Sequence, residues 1–404
     1  MNFTVNRFTM YEAAKNIAKV ALTNSPIPEL NEVLIECNED TGEVFLTATN
    51  HEVSIQYKLA ASVEETGSIL FNPQQLANIM QKTDGEFITL TSDKQNTLKI
   101  TNGRCKYQFI CLPSKGYPKP IMPFPEESII MTGVCSLARK TIFAVSKDEH
   151  KPALQCVKLS FKNNAVHAAA CDGLKMMLVK ESADPTVERE FLLPGYSLQM
   201  LASIADDTDV FEVSDIGKEI VFVRGDMIFT IKKMLIGEFI DITKVISNIK
   251  PKYSAITEAT KIKEALNLMS TAAFMGNIKV PINLVLSNGE IILRCDGDYS
   301  QASTTVPGNV IQNTPETGFY YDISALIKLF QVVCGKVKFE IDAKGYMLIK
   351  TRTEVYFQIP ISKPVRRVDP IKKKVVNKSS QSEQEGEIKK NNSAKGAEDV
   401  KEVA

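Results

Sequence analysis

Three observations predict an α+β protein built from three tandem copies of one domain. First, the pattern strand, short turn, strand, tight turn, strand at Leu154 to Val179 recurs at Glu32 to Tyr57 and at Pro281 to Val306. Second, the tight turns fall at Asn50-His51, Asp172-Gly173 and Asp296-Gly297, so they are spaced by 122 and 124 residues. That period is the length of a domain and too long for a solenoid repeat. Third, the phrases KYQFICLP (from Lys106), MIFTIKKML (from Met227) and EVYFQIPI (from Glu354) are variants of one closing pattern.

Each copy reads strand, helix, strands, helix, strands. That order predicts antiparallel sheet with two helices per domain lying on one side. In the first copy a strand at Asn2 to Val5 leads into a helix at Thr9 to Leu22, whose apolar positions Tyr11, Ala14, Ile17, Ala18 and Ala21 keep helical spacing. Ser25-Pro26-Ile27-Pro28 ends it. A second helix starts after Asn72-Pro73, a capping residue followed by proline at the first helical position, and Asp84-Gly85 ends it. Strands follow at Phe87 to Thr91, Thr97 to Thr101 and Cys105 to Leu112. The second copy places helices at Cys135 to Val145 and Tyr196 to Ile204, and the third at Thr257 to Phe274 and after Asp322. Leu76 and Ile79, Leu198 and Leu201, and Leu326 and Leu329 are matching inner positions of the second helices.

Pro113 to Pro125 holds five prolines and a glycine and reads as a first linker, and Gly237 to Pro251 reads as a second. The expected domains are residues 1–120, 126–247 and 252–363. From 366 to 404 apolar residues almost vanish, and a stretch so poor in them cannot bury a core, so a disordered charged tail is expected there.

Composition narrows the function. No apolar run approaches the roughly 18–20 residues that span a membrane, and the N-terminus lacks the basic-then-apolar order of a signal peptide. A cytoplasmic protein is expected. The eight cysteines form no C-x-x-C pair, and Cys37, Cys111, Cys156, Cys171 and Cys295 lie in strand-like runs, as small buried thiols do. With only three histidines, neither a metal nor another cofactor is expected. Ten Lys and Arg against seven Asp and Glu make the tail basic, and the remaining body slightly acidic, with 38 against 41. A slightly acidic body is unlike a generic nucleic-acid binder, so any surface facing nucleic acid would be a local concentration of lysines. An enzyme built on Cys171, His167 and Asp172 is disfavoured. His167 and Cys171 share one strand face about 13 Å apart, too far for a thiolate–imidazole pair, and there is no nucleotide-binding glycine loop.

Three such copies resemble the bacterial sliding clamp family, the beta subunit of DNA polymerase III. The Asp172-Gly173 turn, Met227 to Val245, the run to Leu112-Pro113 and the final Tyr356 to Ile361 carry the likeness, and Val145 to Leu154 (VSKDEHKPAL) is most similar to the Gram-positive type. The resemblance implies a head-to-tail homodimer of six domains closed into a ring, with helices lining a hole that double-stranded DNA threads and sheets outside. Such a ring is non-catalytic. It tethers the replicative DNA polymerase, the clamp loader and other proteins that carry clamp-binding peptide motifs, and the tether raises their local concentration on DNA.

Sliding requires diffuse, sequence-blind attraction to phosphates. The candidate DNA-facing residues are Lys15, Lys19, Lys82, Arg139, Lys140, Lys147, Lys151, Lys261, Lys263 and Lys328. Carried over by position, the partner-peptide pocket takes Leu154, Cys171, Gly173, Leu174, Lys175 and Met176 from the second copy. Ile240, Lys244 and Val245 come from the second linker, and Phe357, Ile359, Pro360 and Ile361 from the last strand. A groove of this composition suits leucine and phenylalanine anchors on an extended peptide. The chain departs from the family at Leu174, where a basic residue or histidine is usual, at Ile240, usually proline, and at Ala325, often tyrosine. The ring interface is expected to set Tyr107 and Phe109 of the first copy against Phe274 and Met275 of the third. Two other readings use the same residues: a phage- or element-encoded scaffold that binds peptides without serving the main replicase, and a monomeric peptide-binding module that never closes.

Overall fold

The structure is a computed structural model that describes residues 1–120, 122, 128–184, 188–235, 237–275, 278–298 and 300–363. The expected tail at 366–404 lies outside the described residues.

The first repeat contains β1 (Asn2–Asn6), α1 (Arg7–Ile17), β2 (Val33–Asn38), β3 (Glu43–Thr49), β4 (Val53–Glu65), β5 (Gly67–Phe71), α2 (Pro73–Lys82), β6 (Phe87–Ser92), β7 (Thr97–Asn102) and β8 (Cys105–Ile110). The second contains β9 (Ile129–Thr132), α3 (Val134–Ile142), β10 (Cys156–Lys162), β11 (Ala165–Cys171), β12 (Lys175–Asp184), β13 (Arg189–Pro194), α4 (Gly195–Ile204), β14 (Val210–Asp215), β15 (Glu219–Arg224) and β16 (Met227–Lys232). A short helix α5 (Ile242–Ser247) follows. The third contains β17 (Pro251–Glu258), α6 (Ala259–Ala273), β18 (Phe274–Met275), β19 (Ile278–Lys279), β20 (Ile282–Ser287), β21 (Glu290–Asp296), β22 (Gln301–Pro307), β23 (Asn309–Gln312), β24 (Phe319–Tyr321), α7 (Ile323–Val332), β25 (Lys336–Asp342), β26 (Met347–Lys350) and β27 (Glu354–Gln358).

The α+β class and its order hold, and every strand pair is antiparallel. In the first repeat β5, β2, β3 and β4 form one sheet, and β8, β7, β6 and β1 a second. The far half of β4 pairs with β1 and joins them. In the second repeat β12 joins β9 in the same way. In the third the joining strand is split at Gly308 into β22 and β23. A side chain at Gly308 would lie 3.1 Å from the Ile256 carbonyl, a tight approach that favours glycine at the bend.

Several helices begin where the sequence supplies caps, although α3, α4 and α6 start without a side-chain cap. The Asn72 side chain accepts from Gln75 N, and the Asp322 side chain accepts from Ser324 N. The first helix starts earlier than its apolar spacing suggests, because Asn6 caps it through Phe8 N and Thr9 N. Its buried positions Met10, Ala13, Ala14 and Ile17 correspond to Val134, Leu137, Ala138 and Thr141 in α3, and to Ile262, Ala265, Leu266 and Met269 in α6. Asn16, Lys140 and Leu268 are therefore equivalent positions.

Two expectations are corrected. The third turn is one residue later than the sequence suggests. Asn50 N bonds Val53 O and Asp172 N bonds Lys175 O, and their counterpart runs from Gly297 N to Ser300 O. The second linker is not all irregular: Asp241 caps α5 through Lys244 N.

The repeats are joined edge to edge. β16 pairs with β4, placing Phe229 opposite Ile55, and β27 pairs with β12, placing Tyr356 opposite Met177. These are the same register, because Phe229 and Tyr356 are equivalent in their own hairpins, opposite Phe222 and Ile349. The outer edges of β8 and β22 carry no partner strand among the described residues.

Candidate functional site

Where β11, β12 and β27 meet, a tight turn stands beside the last strand. Asp172 Oδ1 accepts from both Leu174 N and Lys175 N at 2.8 Å, and Gly173 takes φ 95°, the left-handed region that glycine favours. Ile359 N donates to Leu174 O at 3.0 Å and fixes the last strand beside this turn.

Beside the turn, the second repeat, the second linker and the last strand share one apolar cluster. Cys171, Met176, Ile242, Leu348 and Phe357 are buried in it, with Leu154, Val245, Ile359 and Phe239 partly covered at its margin. The structure thus brings together six of the pocket residues expected from sequence: Leu154, Cys171, Met176, Val245, Phe357 and Ile359. Leu174 is 58% exposed and Ile240 41%, so each offers a free apolar side chain at the rim. Ile361 is also exposed, and Pro360 is half-buried. Lys175 is not a free cation, since it pairs with Asp172. Lys244 is exposed and 3.4 Å from Asp241. Burial pushes the Cys171 thiol above its ordinary pKa, which suits an apolar floor and not a nucleophile.

Sequence reasoning missed Ile242, Leu348 and Tyr346, whose ring lies 6.0 Å from Phe357. The first was legible, because Asp241 followed by Ile242, Val245 and Ile246 is a capped helical stripe.

The candidate cations divide into free and engaged groups. Arg139, Lys147 and Lys328, from three separate segments, line one cavity of about 560 Å³ between α3, α4 and α7, together with Gln199 and Gln331. Arg139 also holds α4, donating to Asp207 Oδ1 and to the carbonyls of Ala202 and Ala205. Lys82, Lys147, Lys261, Lys263 and Lys328 are exposed and enter no ion pair among the described residues. Lys15 lies 3.7 Å from Glu12, and Lys151 lies 3.7 Å from Asp148. Lys19 donates to the Ser203 carbonyl across the first junction, and burial and then Lys15 lower its pKa.

Lys140 is a correction. Its side chain is only 17% exposed and bridges Glu181 at 3.3 Å and Glu354 at 2.9 Å, so it ties the second repeat to the third instead of presenting charge to a ligand.

At the free edge of the first repeat Tyr107 and Phe109 are half-buried, with ring centroids 6.3 Å apart, and Phe71 lies 5.0 Å from Phe109. Phe274 is partly exposed in β18, and the Met275 side chain lies outside the described residues. Leu268, which the sequence did not single out, is 66% exposed on α6.

Two family models match the chain: DNA polymerase III beta subunit, N-terminal domain, over residues 1–122, and the central domain of the same subunit over residues 131–241. The beta sliding clamp of Chlamydia muridarum is 24% identical over 301 residues, which is 72% of this chain and 80% of the relative. That of Staphylococcus epidermidis is 24% identical over 320 residues, 70% of this chain and 84% of the relative. The crystal structure of a DNA polymerase sliding clamp from Bacillus subtilis superposes with a TM-score of 0.81 at 19% identity, over 90% of this chain and all of that one.

Proposed function

The chain belongs to the DNA polymerase III beta subunit family, the bacterial sliding clamps, and from that premise we propose that two copies close head to tail into a ring around duplex DNA. The ring holds DNA by topology. It carries out no chemistry, and it tethers proteins that insert an extended peptide into the groove between the second and third repeats.

One observation carries this reading. Two junctions within the chain use one β-pairing in one register, and β8 and β22, whose outer edges carry no partner strand among the described residues, are the two that would make a third. Copying the register sets Tyr107 opposite Ala302, Phe109 opposite Ser300 and Cys105 opposite Thr304 of a second copy. The hydrogen bonds flanking the existing junctions, Lys58 N to Asp226 O and Lys180 N to Thr353 O, fix which pairs are bonded. Cys105–Thr304 then falls at a non-hydrogen-bonded pair, where Cα atoms approach to about 4.5 Å, within disulfide range. Thr304→Cys should therefore form an intermolecular disulfide with the native Cys105 under mild oxidation, trapping a dimer on non-reducing gels. Absence of that dimer, or the same yield from Ser303→Cys, which faces the other way, would reject the register.

The groove makes a separate prediction. Leu174 is exposed, so Leu174→Asp should leave folding intact. It should weaken binding of a peptide with leucine and phenylalanine anchors about tenfold, measured by fluorescence anisotropy.

The free lysines, from Lys82 to Lys328, supply attraction to phosphate without base contacts, and the reading places the ring in the cytoplasm with the replication machinery. A scaffold or a monomeric peptide module would need no third junction, yet the free edges of β8 and β22 match one.

A further inference from the structure

The junction between the first and second repeats contains a cavity of about 390 Å³ at the position equivalent to the peptide groove. The equivalence follows from the pairings already described, since Lys232 N donates to Glu52 O as Ile359 N donates to Leu174 O. Four positions that make one groove apolar are polar in the other. Cys171 is replaced by Thr49, Met176 by Ser54, Gly173 by His51 and Ile359 by Lys232.

The buried floor is hydroxylic, with Ser54 Oγ donating to Thr49 Oγ1 at 2.8 Å. Lys218 and Lys232 stand exposed at the rim, and neither enters an ion pair among the described residues. Glu219 is the one carboxylate in the lining.

His51 is a second, independent sign. Its backbone has φ 73°, a conformation that glycine adopts readily and most side chains only rarely, and the equivalent turn uses Gly173. An imidazole is kept at the cavity where glycine would relieve the strain. Strained residues of this kind cluster at functional sites.

We propose that this cavity is a second docking site, which takes an acidic extended peptide from a protein partner. The inference rests on the reading of the apolar groove as a peptide site only for the strand-like pose. Alternate side chains of an extended peptide face the same side, so glutamates at every second position can meet Lys218 and Lys232 while the backbone lies along the junction.

The probe is a fluorescein-labelled Gly-Glu-Ser-Glu-Ser-Glu-Gly peptide, titrated with the full chain at low salt. Lys218→Glu with Lys232→Glu should weaken binding at least tenfold. Leu174→Asp, in the other groove, should change it less than twofold, so failure of one site is distinguishable from failure of the other. Lys250→Glu with Lys252→Glu alters net charge equally but lies away from the cavity, and it too should change binding less than twofold. His51→Gly should weaken the peptide about threefold while leaving Tm equal or higher, whereas a merely structural histidine would leave binding unchanged. Equal loss in the Lys250/Lys252 variant, equal binding of a peptide with Gln for Glu, or no saturable binding would overturn the proposal. Full displacement by inorganic phosphate would reassign the cavity to a phosphate group.

Discussion

Leu268→Glu is expected to convert the proposed dimer into monomers, raising its dissociation constant about 100-fold or more, near 3 kcal/mol. The reason lies in the equivalence of Asn16, Lys140 and Leu268. Each of the first two faces the neighbouring strand at its own junction. Asn16 Nδ2 donates to Tyr57 Oη at 2.9 Å, and Lys140 bridges Glu181 and Glu354. Leu268 is left 66% exposed within the single chain. In the proposed ring it would cover the apolar edge that carries Cys105 and Tyr107 of the second copy. A carboxylate there would be desolvated with no cation opposite. Sedimentation velocity reads the outcome, and an unchanged dimer mass would remove Leu268 from the seam. Because Leu268 is exposed in one chain, the variant should fold, and circular dichroism with Tm separates dissociation from unfolding.

Lys140→Ala is expected to be the most destabilising single change among the charged residues, by about 2–4 kcal/mol. The Glu354 side chain is only 10% exposed and Glu181 is 30% exposed, so removing the ammonium leaves two carboxylates facing each other at the junction of the second and third repeats. Burial lowers the Lys140 pKa, but Glu354 and Glu181 together more than offset it and hold it above the ordinary lysine value. The sign follows from the raised folded value. The stabilisation is complete below the unfolded lysine pKa of about 10.4 and is lost as pH rises through the folded one. Across the neutral range the parent should therefore show no dependence from this lysine. Glu354→Gln placed in the Lys140→Ala background should recover part of the loss. Chemical denaturation measures each variant, and a deficit that does not respond to Glu354→Gln would show that the triad is not what holds the junction.

The sequence made the repeat visible because each copy places the same residue types at the same turns. Asn72-Pro73 and Asp322 announce helices, and the closing phrases announce last strands. The third turn was misread by one residue. Asp296-Gly297 looks like Asp172-Gly173, but the turn is defined by the backbone bond from Gly297 to Ser300, which composition does not display. Lys140 was indistinguishable from other helix lysines, because its partners lie 41 and 214 positions away in sequence. Leu268 was hidden for the complementary reason. An exposed leucine on an amphipathic helix looks like ordinary core until the neighbouring positions Ile262, Ala265, Leu266 and Met269 are seen to fill it. The apolar pocket was legible in its strand residues and in Lys244 and Val245, and the capped stripe that adds Ile242 was legible too, although the six residues of α5 sit inside a stretch rich in linker signals.

The ring itself is tested most directly on DNA of defined topology. The protein is assembled with a clamp loader onto nicked circular duplex, washed at high salt, and measured for retention before and after the circle is cut once. The account predicts retention on the circle and loss on cutting, because a closed ring has no grip on free ends. Equal retention on circular and linear DNA would mean that direct contacts hold the protein, and would contradict the topological ring.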